Sequence, residues 1–503
     1  MTASFDTLAA VDLGSNSFRL QIVRVMDGML YPLDSLKDTV RLGGALLPSG
    51  ELDQDIADRA LACLARFGER LRGFHPDRVR VVGTNTLRVA KDAALFIARA
   101  ERLLGFPIEI IAGREEARLI YLGAAHSLPA SQEKRLVVDI GGGSTEFIVG
   151  QGMRSLKTES LNLGCVSYSL RFFPDGRLTR HNFKDAVVAA RDQIQRIAAE
   201  FGPDQWQLAI GTSGTARSLR DILEQSDFSS EGITLDGMEK LRAELIRAGS
   251  LKAAHLNGLR GDRAPVLPGG LSIMLAVFEE LGIQRMDVTL GALRDGVLYD
   301  LLGRQDERDP RADSVAQMMR RYHVDTVQAT RVARVAHHVL AGLSAGQEAA
   351  PDWKRELGWA AALHEIGLDI SHTGYHKHSA YIVENADMPG FSRQEQKVLA
   401  TLILAHRGSL GKLLSQVTDD SLWPVVVSLR LAALFSRSRR DLALPENLHF
   451  STVAPRQFRV VLDADWLDSH PMTASALREE ASGWKDIGFQ LTVRGQDDRK
   501  LLV

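Results

Sequence analysis

The sequence predicts a duplicated α/β architecture, followed by a helical block and a small α/β tail. Three observations predict it. First, Asp12-Leu13-Gly14-Ser15-Asn16-Ser17 and Asp139-Ile140-Gly141-Gly142-Gly143-Ser144-Thr145-Glu146 share one design: an Asp ends an apolar run, a glycine turn follows, and a second apolar run begins. Second, the segments after each turn recur in one order, which marks duplicated domains. Third, residues from Ala312 to about Leu442 are dense in Ala, Leu, Arg and His, and strand-like alternation returns only near the C-terminus.

Taken in order, Leu8–Val11 and Phe18–Val25 read as strands around a tight turn, and Leu136–Val138 and Phe147–Val149 repeat them. Val81-Val82-Gly83-Thr84-Asn85-Thr86-Leu87-Arg88 then leads into an amphipathic helix reaching about Leu104. Leu208-Ala209-Ile210-Gly211-Thr212-Ser213-Gly214-Thr215-Ala216-Arg217 leads into one reaching about Leu223. Ile108–Ile111 precedes Gly113 and a helix carrying Tyr121, while Met286–Thr289 precedes Gly291 and a helix carrying Tyr299. The extra length of the second half falls in a helical stretch around Ser226 to Pro268. These boundaries give domains over 1–125 and 126–305, with the polar Ser127–Lys134 stretch between them. A charged linker, Arg304–Arg311, precedes a helical domain over 306–445. The tail, 446–503, is expected to hold strands Phe458–Leu462 and Phe489–Val493 flanking a helix Met472–Ser482.

Composition narrows the function. The chain has 503 residues, 45% hydrophobic and 25% charged, the balance of a globular protein with ample core. A net charge of −2 supplies no global field for a polyanion, so any polyanion path must be a local basic lining, and no nucleic-acid partner is expected. Cys63 and Cys165 form neither a disulfide framework nor a metal motif, and read as buried thiols in a reducing compartment. No basic-then-apolar leader opens the chain and no apolar run approaches the roughly 20 residues of a membrane span. A cytoplasmic location follows as the expectation, with peripheral membrane attachment left open.

The two turns carry the chemistry. Glycines let backbone N–H groups approach an anion, and Ser, Thr and Asn add donors. An Asp at a strand end can hold a divalent cation, usually through water. Two similar domains facing each other bind ligands in the cleft between their loop ends.

These segments resemble the exopolyphosphatase/guanosine pentaphosphatase (Ppx/GppA) family, within the actin-like sugar kinase/Hsp70 superfamily. The resemblance rests on Asp12–Ser17, Gly83–Arg88, Gly113–Leu119, Asp139–Glu146, Gly211–Thr215 and Gly291–Tyr299, and continues into His364–Gly367 and His376–Tyr381. Glu115-Glu116-Ala117-Arg118-Leu119 is its most specific part, and the chain looks most like the long exopolyphosphatases. The resemblance implies Mg²⁺-dependent (or other divalent-dependent) release of terminal orthophosphate from inorganic polyphosphate. The alternative is 5′-phosphate hydrolysis of guanosine pentaphosphate. A homodimer is expected. A kinase of the superfamily would need an acceptor pocket and would exclude water. Glu116 between the hairpins favours hydrolysis, and the intact acidic set argues against an idle sensor.

On this reading Glu116 is the general base, with Glu146 assisting it, and Glu115 is structural. Asp12, Asp139 and Glu146 form the cation environment. Asn16, Ser17, Arg88, Gly142, Gly143, Ser144 and Thr145 bind phosphate, Arg88 through its planar fork. Thr212-Ser213-Gly214 is the loop where kinases of the superfamily hold adenosine. In the helical block, Leu363-His364-Glu365-Ile366-Gly367 looks like the core of an HD-domain metal phosphohydrolase with Glu365 in the place of its Asp, which implies a retained fold without metal chemistry. His376, Lys377 and His378 are candidate polyphosphate contacts, and Arg437-Ser438-Arg439-Arg440 is a second basic candidate or a solvated helix end.

Overall fold

Five strands form the first sheet: β1 (Thr7–Leu13), β2 (Phe18–Met26), β3 (Met29–Asp38), β4 (Val79–Gly83) and β5 (Ile108–Ile110), in the order β3-β2-β1-β4-β5. Six form the second: β6 (Lys134–Ile140), β7 (Thr145–Gln151), β8 (Arg154–Leu161), β9 (Leu208–Thr212), β10 (Ile233–Thr234) and β11 (Arg285–Val288), in the order β10-β11-β9-β6-β7-β8. In both sheets a hairpin strand runs antiparallel on one side of the lead strand and a crossover strand runs parallel on the other. The duplication read from the sequence is therefore a duplication of topology. The computed structural model describes residues 7–26, 29–44, 46–47, 49–129, 131–305, 309–345, 353–417, 419–441, 444–445, 447–496, 499 and 501. Of the expected linker, residues 306–308 lie outside these, as do residues 442, 443 and 446 around the expected start of the tail. The chain divides into two units, 1–310 and 311–503.

In the first unit the lead strands are buried on both faces, as strands covered by helices on each side must be. Ala9, Val11 and Leu13 face the core under the helices Gln54–Leu71 and Ala93–Leu104, while Leu8 and Ala10 face the opposite way. Leu136, Val138 and Ile140 alternate with Val137 in the same manner. The helix expected to run unbroken to Leu104 is split, because Asn85–Val89 ends at extended Ala90 before Ala93–Leu104 begins.

The core between the sheets holds a crossed arrangement. The helix Gly113–His126, which ends the first repeat, packs on β7 and β8 of the second sheet. The helix Leu293–Gln305, which ends the second, packs on β1 and β4 of the first. The two helices also pack on each other so closely that a Cβ on Gly296 would lie 1.7 Å from the Leu119 carbonyl oxygen. A buried ion network ties them together. The Asp300 carboxylate accepts from Arg80 Nη1 on β4 at 2.6 Å and from Arg304 Nε at 2.9 Å, and also from Arg118, which forks Glu115 at 2.7 and 2.8 Å. Glu115 and Arg118 thus anchor the helix whose first turn carries Glu116.

In the second unit, helices Thr326–Leu343, Lys354–Leu363, Tyr375–Asn385, Arg393–Ala405 and Trp423–Phe435 surround one core. A three-stranded sheet, β12 (His449–Ala454), β13 (Gln457–Val461) and β14 (Gln490–Arg494), carries helices Ala464–Ser469 and Pro471–Asp486 between its last two strands. Phe458, Trp484 and Phe489 of this tail join Trp423 in that same core. Among the described residues one stretch, Ala264–Leu281, has the length and hydropathy of a membrane span, close to the length the sequence reading excluded, but 78% of it is buried inside the fold.

Candidate active site

The register of each hairpin decides what faces the cleft. In the second, Asp139 pairs directly with Glu146 across β6 and β7. In the first, Asp12 pairs directly with Arg19 across β1 and β2. One position in the repeat thus carries opposite charges. Asp12, Asp139, Glu146 and Glu116 all line a single cleft between the two turns.

Glu116 sits in the first turn of Gly113–His126 and is 7% exposed. Its Oε2 accepts from Arg88 Nη1 at 2.9 Å, and the same nitrogen donates to the Ile111 carbonyl at 2.8 Å. Glu146, 1% exposed, accepts from the Ser160 hydroxyl at 2.9 Å. Burial raises the carboxyls of this cleft above the ordinary range. It takes Asp12 to about 6, against the pull of Arg19 and Arg294. It takes Asp139 to about 7, against a hydrogen bond from Ser213. Glu116 is raised by burial while Arg88 holds it down, and Glu146 is raised well above its usual value by burial and then by the charges of Glu116 and Asp139.

Four carboxylates sharing one buried cleft repel each other unless a cation neutralises them. Asp12 Oδ1 and Asn16 Oδ1 are buried with no hydrogen-bond partner. Such orphaned oxygens fit a hydrated divalent cation. Among the described residues no three His, Cys, Asp or Glu groups converge tightly enough to ligate a metal directly, so contact through water is the form that fits.

The turns themselves are pressed together. A Cβ on Gly143 would lie 2.4 Å from Asn85 Oδ1 and 3.1 Å from Ser15 Oγ. Glycine is needed there for the meeting of two loops, beyond any approach to an anion. Cys165 and Val166 donate their backbone N–H groups to the Gly141 and Gly142 carbonyls, fixing the second turn from behind. Asn16, Ser17, Gly142, Gly143 and Ser144 all line the cleft. Two expected phosphate ligands are placed differently. Thr145 is fully buried and gives its hydroxyl to the Leu163 carbonyl at 2.5 Å, because strand alternation turns it away from the face that Glu146 uses. Arg88 holds Glu116 and is not among the cleft-lining residues.

Four arginines that the sequence reading did not assign complete the lining: Arg19, Arg217, Arg263 and Arg294. Burial, then the neighbouring charges, lowers Arg19 to about 10, with Arg294, Arg217 and Arg263 each contributing. Arg217 donates Nε to the Ser213 carbonyl at 2.9 Å, and Ser213 itself holds a left-handed φ of 66° at the cleft wall. Arg263 covers the Gly214 loop so closely that a Cβ there would lie 1.8 Å from Nη2. The segment bearing Arg263 is tied to β3 by a Lys37–Asp262 ion pair of 2.6 Å. Cys165 also lines the cleft, but burial raises its thiol, so it offers no thiolate. In the second unit, His376, Lys377 and His378 occupy the first turn of Tyr375–Asn385, where Lys377 is exposed and His376 rests against Gly408.

Comparison with known proteins agrees with this architecture. The sequence profile of the Ppx/GppA phosphatase family matches residues 21–305, and that of Ppx/GppA phosphatase domain III matches residues 311–481. The crystal structure of an exopolyphosphatase from Cytophaga hutchinsonii is similar over 59% of this chain and 97% of its own, at 23% identity and a TM-score of 0.52. That of an exopolyphosphatase-like protein covers 59% and 98%, at 24% identity and a TM-score of 0.54. The Aquifex aeolicus member of the family covers 60% and 99%, at 26% identity and a TM-score of 0.49. The first two share the α/β fold of this chain's first unit. With one profile spanning more than half of the chain and a second continuing beyond it, the chain belongs to the Ppx/GppA phosphatase family.

Proposed function

We propose that this phosphatase is an exopolyphosphatase. It would remove orthophosphate from the ends of inorganic polyphosphate. The observation that carries the proposal is the charge layout of the cleft. Four carboxylates gather around the two turns, and four arginines continue the lining with no ion pair among the described residues. Arg263 lies over the Gly214 loop, where a nucleoside would otherwise rest. The cleft holds about 110 Å³ of free space, below the roughly 300 Å³ at which sites for drug-sized ligands begin. The end of a phosphate chain suits such a space better than a whole nucleotide.

Asn16, Ser17, Gly142 and Ser144 would bind the terminal phosphate, and the arginines the phosphates behind it. Glu116 would orient a water for in-line attack. The water oxygen bonds to the terminal phosphorus, the bridging P–O bond breaks, and the water's proton passes to Glu116. Orthophosphate leaves and the chain is one unit shorter. Arg88 keeps the Glu116 carboxylate aimed and lowers its proton affinity. Asp12, Asp139 and Glu146 would hold Mg²⁺ through water, and the cation when bound supplies neutralisation of phosphate charge.

Phosphate release from long polyphosphate, short polyphosphate and guanosine pentaphosphate, measured side by side, tests the reading. Faster specific turnover of polyphosphate is expected. A preference for guanosine pentaphosphate would replace the proposal with the 5′-phosphohydrolase activity, performed by the same water and the same base.

A further inference from the structure

The second unit contains a cavity of about 640 Å³ that takes no part in this chemistry. His364 and His406 line it, 3% and 4% exposed. Each commits its Nδ1 to a backbone carbonyl, Ala361 at 2.8 Å and Ile403 at 2.6 Å. The Nδ1–H tautomer is thereby fixed, and the Nε2 edge is left to the cavity. Nε2 of His406 meets the Tyr375 hydroxyl at 3.3 Å. Nε2 of His364 has no hydrogen-bond partner among the described residues, with Glu365 Oε1 at 3.9 Å. The two rings stand edge to face, 5.1 Å apart.

Two of the three carboxylates lining the cavity are already neutralised. Glu365 accepts from Arg439 at 2.7 Å, and Glu480 is forked by Arg430 at 2.5 and 2.8 Å. Two further lining cations remain without a carboxylate partner among the described residues. Arg407 touches only the Tyr375 ring, at 5.4 Å, and Arg437 forms no ion pair. His372 and Glu479 stand exposed at the rim. A cavity with spare guanidinium forks and imidazole edges recognises tetrahedral oxyanions.

We propose that this cavity binds a small phosphate-bearing anion, gripped by Arg407 and Arg437, with His364 and His406 presenting Nε2 to its oxygens. Burial disfavours the charged form of both imidazoles. Burial lowers His364, with Glu365 opposing and Arg439 adding to it. Burial lowers His406 much further, aided by His364, His376 and Arg430. A bound phosphate reverses this balance, since its charge favours imidazolium and gives each Nε2–H an acceptor. Binding therefore draws protons onto the two imidazoles.

The test uses the full-length protein, titrated calorimetrically without divalent cation at pH 6 and pH 8. The probes are inorganic phosphate, methylenediphosphonate and ATP, which separate a free phosphate from a nucleotide. The wild type should show a saturable binding component for at least one probe. Arg407→Gln/Arg437→Gln should lose at least about tenfold in that component, the scale of one charged hydrogen bond, while Arg263→Gln in the first unit keeps it. An unchanged titration in the double variant would overturn the proposal. Imidazole NMR of the unmutated protein gives a reading that does not depend on the variants folding. His364 and His406 signals should move toward imidazolium when the probe that binds is added, and unmoved signals refute the assignment.

Discussion

Replacing Glu116 with Gln removes one proton acceptor from a site that is otherwise held in place. The helix carrying it is fixed by Glu115, Arg118 and Asp300, so the backbone should not move. The amide keeps one oxygen to accept from Arg88 Nη1, now at 2.9 Å from Oε2, and must turn its NH₂ toward the water. That water then faces a donor where it needs an acceptor. Loss of a general base costs about 10²–10⁴ in rate, or roughly 2.7–5.4 kcal/mol of transition-state stabilisation. The loss should fall on kcat, with KM for polyphosphate changed by less than about threefold, because the arginines and turn donors are untouched. Phosphate release against substrate concentration separates the two. The pH profile adds an independent check. Burial raises Glu116, so the wild-type acid limb should lie above the ordinary carboxylate range, with activity falling as pH drops through that value and the base is protonated. The Gln variant should lose the part of this limb that Glu116 contributes and keep the part set by Asp12 and Asp139, raised to about 6 and about 7. A folded Glu116→Gln protein with near-normal turnover would refute the role of Glu116.

Arg88→Lys should lower kcat about tenfold or more, since an ammonium cannot serve both Glu116 and the Ile111 carbonyl in one plane; equal turnover would remove Arg88 from the positioning of the base. Asp139→Asn should shift the Mg²⁺ activation curve to higher concentration by about tenfold, and an unchanged curve would place the cation elsewhere. Asp300→Asn should cost about 3–5 kcal/mol, because it leaves Arg80, Arg118 and Arg304 facing a neutral amide in the core. Those arginines hold the folded Asp300 carboxyl below its unfolded value, so its contribution is complete above the unfolded pKa of about 3.9 and is lost as pH falls toward the folded one. Thermal melts should show the gap between wild type and variant shrinking below about pH 4, and a constant gap would contradict the linkage. Gly143→Ala should suppress activity far more than stability, because its Cβ collides with Asn85 across the turns; calorimetry and phosphate release on one preparation decide this.

Much of the frame of the cleft was legible because turn chemistry is local. Asp, Gly, Ser and Asn at fixed offsets announce the hairpins, and the repeat places them in two equivalent sheets. Thr145 shows where that reading outran itself. Strand alternation already forbade Thr145 and Glu146 from facing the same way, and the structure buries the threonine hydroxyl against Leu163. Arg19 left a usable signal, since it follows Asp12 by the same interval that separates Glu146 from Asp139. Arg263 left none, because it lies in the stretch peculiar to the second half, a segment tied to β3 by the Lys37–Asp262 pair. The crossing of the two helices was equally silent. Periodicity reports that a helix has an apolar face without naming the sheet that will cover it.

That crossing has a consequence for biogenesis. The chain emerges from the ribosome N-terminus first, yet the lid over its first sheet is the segment 293–305. Through most of the synthesis of this unit, Leu8, Ala10 and Val82 lack the native cover of that last helix, while Gly113–His126 waits only until β7 and β8 have been made. The first repeat is thus kept unfinished until the second has been made. A nascent chain stalled anywhere before residue 293 should be a client for chaperones, sensitive to protease and prone to stick to its neighbours. Protection from protease should come as one late step, when the final helix packs on β1 and β4 and Asp300 meets its arginines.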